Sequence, residues 1–249
     1  MSRLTLVIRN CVIYTMSDLG VINNGVIVIS NGKIAEVGVE GKVEIPDGAE
    51  IIDVQGRYVT PGLIDPHTHI GVHEEGVGWE GNDTNEFTEP ITPHVRAIDG
   101  VKADDEGFRE ARESGVTTVG VLPGSANPIG GLGVALKTYG RVVDEMVIRE
   151  PIGMKMAFGE NPRRVHGIEA KRTPYTRMGI VALIREWLVK AKNYIDKKVL
   201  FRSQPEKMPE VDLRLEALSL VVRGVIPARM HAHRDDDIAT AMRIAEEYK

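Results

Sequence analysis

An α/β fold in two parts is what this sequence predicts: a small all-β unit, then strands alternating with helices as in a parallel sheet or a β/α barrel. Three observations predict it. Residues 4–57 are β-rich and punctuated by turn residues. After residue 58, apolar runs of strand length alternate with helical stretches. Two of those apolar runs end in paired histidines, His67-Thr68-His69 and His231-Ala232-His233.

The first part, 1–57, opens with Leu4-Thr5-Leu6-Val7-Ile8 and Cys11-Val12-Ile13-Tyr14. Gly25–Ile29 and Lys33–Val37 flank Ser30-Asn31-Gly32, and Asn-Gly between two β-rich runs is a strong short-range hairpin signal. Ile51–Val54 followed by Gln55-Gly56 adds a further strand and turn. In the second part, 58–249, a helix over 107–114 stops at Gly115, and Val116–Leu122 reads as a buried strand. Val134–Leu136 and Ile152–Phe158 are further strands. Thr173-Pro174 fits the N-cap and first position of a long helix running to about Ile195. Ile180, Val181, Leu183, Ile184, Trp187 and Leu188 form that helix's core-facing stripe. A helix over 209–222 closes at Gly224, Val225–His231 is strand-like, and Asp236 or Asp237 caps a last helix.

The chemistry concentrates in Pro61-Gly62-Leu63-Ile64-Asp65-Pro66-His67-Thr68-His69. In extended chain, residues i and i+2 point to one side, so His67 and His69 project together from the end of a strand. Two imidazoles on one side suit a borderline-soft cation such as Zn²⁺. One such pair alone reads as polar residues at a strand end. Two pairs, holding four of the seven histidines, favour a metal site. Lys155 is the lone charge in Ile152–Phe158, and two readings stand side by side. It snorkels out or pairs with Glu160, or it points into the site, carbamylated so as to bridge two metals. His73, His94 and His166 lie in polar loops and read as surface or supporting residues. The acidic loop 71–93 has the length of a lid or binding loop, although its carboxylates are read as solvated. Gly124–Gly131 lacks the P-loop lysine and the Rossmann spacing and reads as a turn lining the pocket, while Ser125 has no partners for a serine nucleophile.

Bulk composition sets limits. The 249 residues carry a net charge of −5, which implies no general attraction to nucleic acid or membranes. One cysteine, Cys11, excludes an internal disulfide and points to a reducing, cytoplasmic setting. Met1-Ser2-Arg3 and the strand after it do not form a signal peptide, and no run approaches the ~20 apolar residues of a membrane span. Scarce aromatics with plentiful Glu, Lys and Arg occur in heat-adapted proteins.

Together these residues resemble the amidohydrolase superfamily, in particular its imidazolonepropionase-like branch. The specific motif is Val59-Thr60-Pro61-Gly62-Leu63-Ile64-Asp65-Pro66-His67-Thr68-His69, placed after a β unit. The resemblance implies a (β/α)8 TIM-type barrel flanked by a β-sandwich, one or two divalent metals, zinc above all, and hydrolysis of an amide, cyclic amide or related C–N bond in a small molecule. It makes His67 and His69 first-strand ligands, His231 the fifth-strand ligand, His233 a substrate-facing residue and Lys155 the fourth-strand lysine that is carboxylated in two-metal members. It also requires a histidine after the sixth strand and an aspartate base after the eighth. The sequence ends in the helix after the fifth. A full barrel takes ~250 residues, so an incomplete barrel of about five strands is expected, preceded by a β-sandwich segment over 1–57. No certain catalytic base is present. Such a piece is expected to be a truncated, poorly active chain that needs a second copy or its missing part for stability. Two alternatives stay open: a non-catalytic partial barrel that binds metal or assembles with a partner, and a deaminase on the same scaffold.

Overall fold

The computed structural model describes residues 5–248. Met1–Leu4 and Lys249 lie outside the described residues, and with them the expected strand start at Leu4 and the Met1-Ser2-Arg3 stretch. The chain divides into two compact units, with the boundary between Gly62 and Leu63.

The first unit is one five-stranded sheet. Strand β1 (Thr5–Tyr14) pairs antiparallel with β2 (Val21–Ser30), which pairs antiparallel with β3 (Lys33–Val39). Strands β4 (Glu50–Asp53) and β5 (Tyr58–Val59) run parallel to β1. The two β-rich runs before residue 15 form a single strand. They are joined by an irregularity at Arg9-Asn10, where Asn10 takes a φ of 54°. The β2–β3 hairpin turns on Asn31 and Gly32, with φ of 54° and 72°, the pair of positive values that a type I′ turn demands. The side chains alternate as a pleated sheet requires. Val7, Val26 and Val28 pack with Val43, and Cys11, Ile13 and Ile27 form a separate cluster.

The second unit is α/β. Its five-stranded sheet has the order β10-β9-β8-β7-β6. Strand β6 (Leu63–Thr68) leads through α1 (Glu106–Glu113) to its parallel neighbour β7 (Val116–Val121). Strand β8 (Ile129–Lys137) is antiparallel to β7, and a single turn, α2 (Val143–Met146), precedes β9 (Val147–Ala157), antiparallel to β8. After β9 come α3 (Glu160–Pro162), a π-helical turn (Arg163–Glu169), α4 (Arg177–Leu200) and α5 (Leu213–Val222). Strand β10 (Ala228–His231) then pairs parallel with β9, and α6 (Asp235–Glu247) follows. The sheet is therefore mixed, which corrects the expected all-parallel alternation. The apolar run of β8 is as buried as a parallel strand, so its composition carries no mark of its direction.

Local chemistry moves several boundaries. The long helix begins at Arg177, because the Thr176 side chain accepts from Gly179 N, so Thr176 and not Thr173 is the cap. Helix α5 begins only at Leu213, where Asp212 Oδ1 accepts from Arg214 N and Leu215 N. Neither Asp236 nor Asp237 is the N-cap of α6. Arg234 holds that position, and Asp237 is buried with Arg177 Nε at 2.9 Å. Strand β10 starts after Pro227, which has no N–H for a ladder.

The core of this unit has two clusters. Ile129, Met154, Met156 and Phe158 pack against Ile180, Ile184, Leu188, Leu218 and Ile244. Phe108 of α1 packs against Val119, Val121, Val134 and Leu136. No helix among the described residues is long and apolar enough to cross a membrane.

Ile184 is wholly buried in the larger cluster. Ile184→Ala is expected to lower the unfolding free energy by about 2–5 kcal/mol, read from urea midpoints at unchanged slope.

Candidate active site

Strands β6, β7, β9 and β10 all point one way, since β8 is antiparallel to both of its neighbours. Their C-terminal ends therefore gather at one end of the sheet. The residues there are His67 and His69 from β6, Leu122 after β7, Lys155 near the end of β9 and His231 at the end of β10.

Within β6 the Asp65 side chain bends back on its own strand: its Oδ1 accepts from His67 N at 3.0 Å, across Pro66, where the pairing with β7 shifts register. The His67 and His69 rings stand edge to face, 5.4 Å between centroids. His69 Nδ1 lies 2.8 Å from the Leu122 carbonyl oxygen. A carbonyl only accepts, so Nδ1 carries the hydrogen and Nε2 keeps its lone pair free. Burial, then the charges of Lys155 and His73, hold the His69 pKa below its ordinary value, against the opposing pull of the Leu122 carbonyl.

Lys155 is 1% exposed. Its stem passes Gly130, where an added Cβ would sit 3.6 Å from Lys155 Cγ. Its Nζ reaches His67 Nε2 at 3.1 Å, and it does not pair with Glu160, which binds His233 and Arg177. Burial alone pulls the Lys155 pKa down to about 8. His67 is an exposed residue whose Nε2 lies against the lysine. Burial, then the charges of Lys155, His69 and Arg229, lowers its pKa, with Asp65 opposing. His231 is lowered by burial, then by His233 and Lys155, with Glu160 opposing. Burial first, and the Lys155 charge after it, thus favour the neutral forms of three imidazoles.

His231 and His233 form a second edge-to-face pair, 4.4 Å between centroids. His231 Nε2 meets Asn161 Nδ2 at 3.2 Å, and the same Nδ2 is 2.8 Å from Ser125 Oγ. His233 is exposed, with Nδ1 bound to the Glu160 carboxylate.

These neutral imidazoles, one with a fixed tautomer, have the donor chemistry that a borderline-soft divalent cation needs. Among the described residues, no three His, Cys, Asp or Glu side chains form a metal-holding group, and the neighbour of the His67 imidazole is the lysine amine.

The loop histidines divide. His166 is fully buried, in the supporting and not the surface position of the two expected. Its Nε2 donates to Asn127 Oδ1 at 2.8 Å, its Nδ1 accepts from Arg172, and burial with the Arg172 charge pulls its pKa down to about 4. Asn127 also donates to Glu86 O and Thr92 Oγ1, and Arg172 to the Phe87 and Thr88 carbonyls, so this network pins the acidic loop. His73 Nδ1 is 3.4 Å from Thr84 Oγ1. His94 lines a cavity of about 520 Å³ with Thr84, Asn85, Glu86 and Gly130, which does not include the imidazoles above.

Sequence reasoning missed Asn161 and Arg172, and placed Asn127 only within a turn lining the pocket. The one available signal was Gly159-Glu160-Asn161-Pro162, polar and turn-forming directly after a strand. That reasoning placed Gly131 in the pocket-lining turn without the steric reason for a glycine. Gly131 has a φ of 138°, and a Cβ there would come within 2.4 Å of Val95 O.

No protein-family model matches the chain. Amidohydrolase tasK of Hapsidospora irregularis is 34% identical over 249 aligned residues, 90% of this chain and 25% of that protein. An imidazolonepropionase of Geobacillus kaustophilus is 38% identical over 108 residues, 39% of this chain and 24% of that protein. The crystal structure of an amidohydrolase from Thermotoga maritima superposes with a TM-score of 0.91 at 46% identity, over 98% of this chain and 62% of that one. The chain belongs to the amidohydrolase superfamily, on its imidazolonepropionase-like side. This amidohydrolase chain spans about a quarter of the two curated relatives and under two thirds of the Thermotoga protein.

The buried lysine gives a pH prediction for the metal-free chain. Its folded pKa is depressed, so between about pH 8 and 10.5 the unfolded state binds the extra proton and stability rises with pH. The penalty relieved is about 3 kcal/mol. Urea unfolding at about pH 7.5 and pH 10 should show Lys155→Met ahead at the lower pH, with most of its lead gone at the higher.

Proposed function

We propose that this amidohydrolase uses a bound divalent metal to hydrolyse an amide, cyclic amide or related C–N bond in a small-molecule substrate. The observation that carries the reading is the meeting of Lys155 Nζ with His67 Nε2 at 3.1 Å across 88 positions of sequence, beside a His69 whose Nε2 is left free. A buried amine without a carboxylate partner has a net cost that a purely structural site has no reason to bear.

In this reading His67 and His69 hold the metal, His231 joins them from β10, and Lys155 takes part as the amine or as its carboxylated form. Zinc, as one ion or two, suits the imidazole donors. A divalent ion of this kind lowers the pKa of a bound water toward neutrality and polarises a carbonyl. The chain's own residues orient and tune. The Leu122 carbonyl fixes the His69 tautomer, and burial, aided by the Lys155 charge, favours the unprotonated imidazoles. His233, exposed and anchored by Glu160, is the residue assigned to the substrate.

The mixed sheet is read as part of a (β/α)8 barrel and the first unit as part of a β-sandwich. Support comes from edge strand β6, where Leu63 and Ile64 are 56% and 69% exposed, a surface suited to further strands. The family's aspartate base belongs after an eighth strand, and this sheet has five. We therefore assign slow turnover, or none, to the 249 residues taken alone.

Elemental analysis of the purified chain, after dialysis against zinc and removal of excess, tests the metal. About one equivalent or more of zinc is expected, falling to background in His67→Ala/His69→Ala with the far-UV circular dichroism unchanged. Equal zinc in the wild type and the double variant would overturn the assignment.

A further inference from the structure

Consecutive residues of α3 each grip one histidine of the His231-Ala232-His233 pair. Glu160 takes His233 Nδ1 through its carboxylate, and Asn161 meets His231 Nε2 through its amide nitrogen. The two handles differ in kind. A carboxylate accepts, so His233 Nδ1 carries a hydrogen and donates it. An amide nitrogen has two hydrogens and no available lone pair, so His231 Nε2 accepts and the ring's hydrogen sits on Nδ1. The second amide hydrogen of Asn161 goes to Ser125 Oγ at 2.8 Å, so both its donors are used.

We propose that Asn161 is a positioning residue that sets the tautomer and aim of His231. Four observations carry this. Gly159, with a φ of 78°, turns the chain just beyond β9 and delivers Glu160-Asn161 to the histidines. Ser125 braces Asn161 from the loop after β7, so the amide spans from that loop to the end of β10. Strand β10 is at the edge of its sheet and has only four residues, so its own pairing holds the terminal imidazole weakly. The ring's neighbour His233 is exposed and lies edge-on at 4.4 Å, a contact that does not choose between the two ring nitrogens. The amide makes that choice. It keeps Nε2 bare of hydrogen yet covered, so any electrophile that takes this nitrogen displaces a hydrogen bond and not a proton.

The inference uses the proposed site only in treating His231 as a working residue, and its test needs neither metal nor turnover. Long-range ¹H–¹⁵N spectra of the metal-free 1–249 chain, with His231 assigned through His231→Gln, report which ring nitrogen carries the proton. In the wild type, Nδ1 is expected to be protonated and Nε2 bare. In Asn161→Asp, whose ionised side chain can only accept, the proton is expected to move to Nε2. A wild-type His231 protonated at Nε2 would overturn the proposal even if the variant failed to fold. An Asn161→Asp spectrum identical to the wild type would do the same. Failure of zinc binding, by contrast, would count against the proposed function and leave this result intact.

Discussion

The arrangement depends on one buried amine. Lys155 lies on a strand with neighbours on both sides, is 1% exposed, and finds an imidazole at 3.1 Å where a carboxylate would be the usual partner. A lone cation in such a place is disfavoured, and its pKa drop to about 8 reflects burial without compensation. The strand geometry makes this tolerable. Their shared direction brings the ends of β6, β7, β9 and β10 to one end of the sheet, where the lysine's head meets His67. Gly131 lets β8 pass under the Val95 carbonyl, an approach a side chain would block. The cost is met by the core beneath, where Met154, Met156 and Phe158 of the same segment are buried against α4, α5 and α6.

A second layer holds the first in position without touching it. His166, neutral and fully enclosed, links Asn127 to Arg172, and through them the acidic loop is tied by Glu86, Phe87 and Thr88. Arg214 clamps Glu89 of the same loop in a two-pronged pair at 2.5 and 2.7 Å. The loop's carboxylates are thus partly spent on the protein itself, and the loop is an ordered wall. Asn127 stands two residues from Ser125, which braces Asn161, so loop order and histidine orientation share one stretch of chain.

Much of this was legible in the residues. The histidine pairs, the Asn31-Gly32 turn, the α1–Gly115–β7 passage and the lone charge of Lys155 each carry a local signature. Three things had none. The direction of β8 is set by which strand it meets, and an evenly apolar run reads alike both ways. Thr173-Pro174 offers as good a helix start as Thr176, and only the bond from Gly179 N to the Thr176 side chain decides between them. The burial of His166 and the role of Asn161 arise from partners 39 and 70 positions away, a separation no local pattern encodes.

The central claim is that imidazoles gathered at the end of this sheet can hold a divalent ion. X-ray absorption at the zinc edge of the zinc-loaded chain tests it most directly. The account predicts nitrogen or oxygen donors at about 2.0–2.1 Å with the multiple scattering of two or more imidazoles. A spectrum of hydrated zinc, with oxygen neighbours and no imidazole scattering, would contradict it.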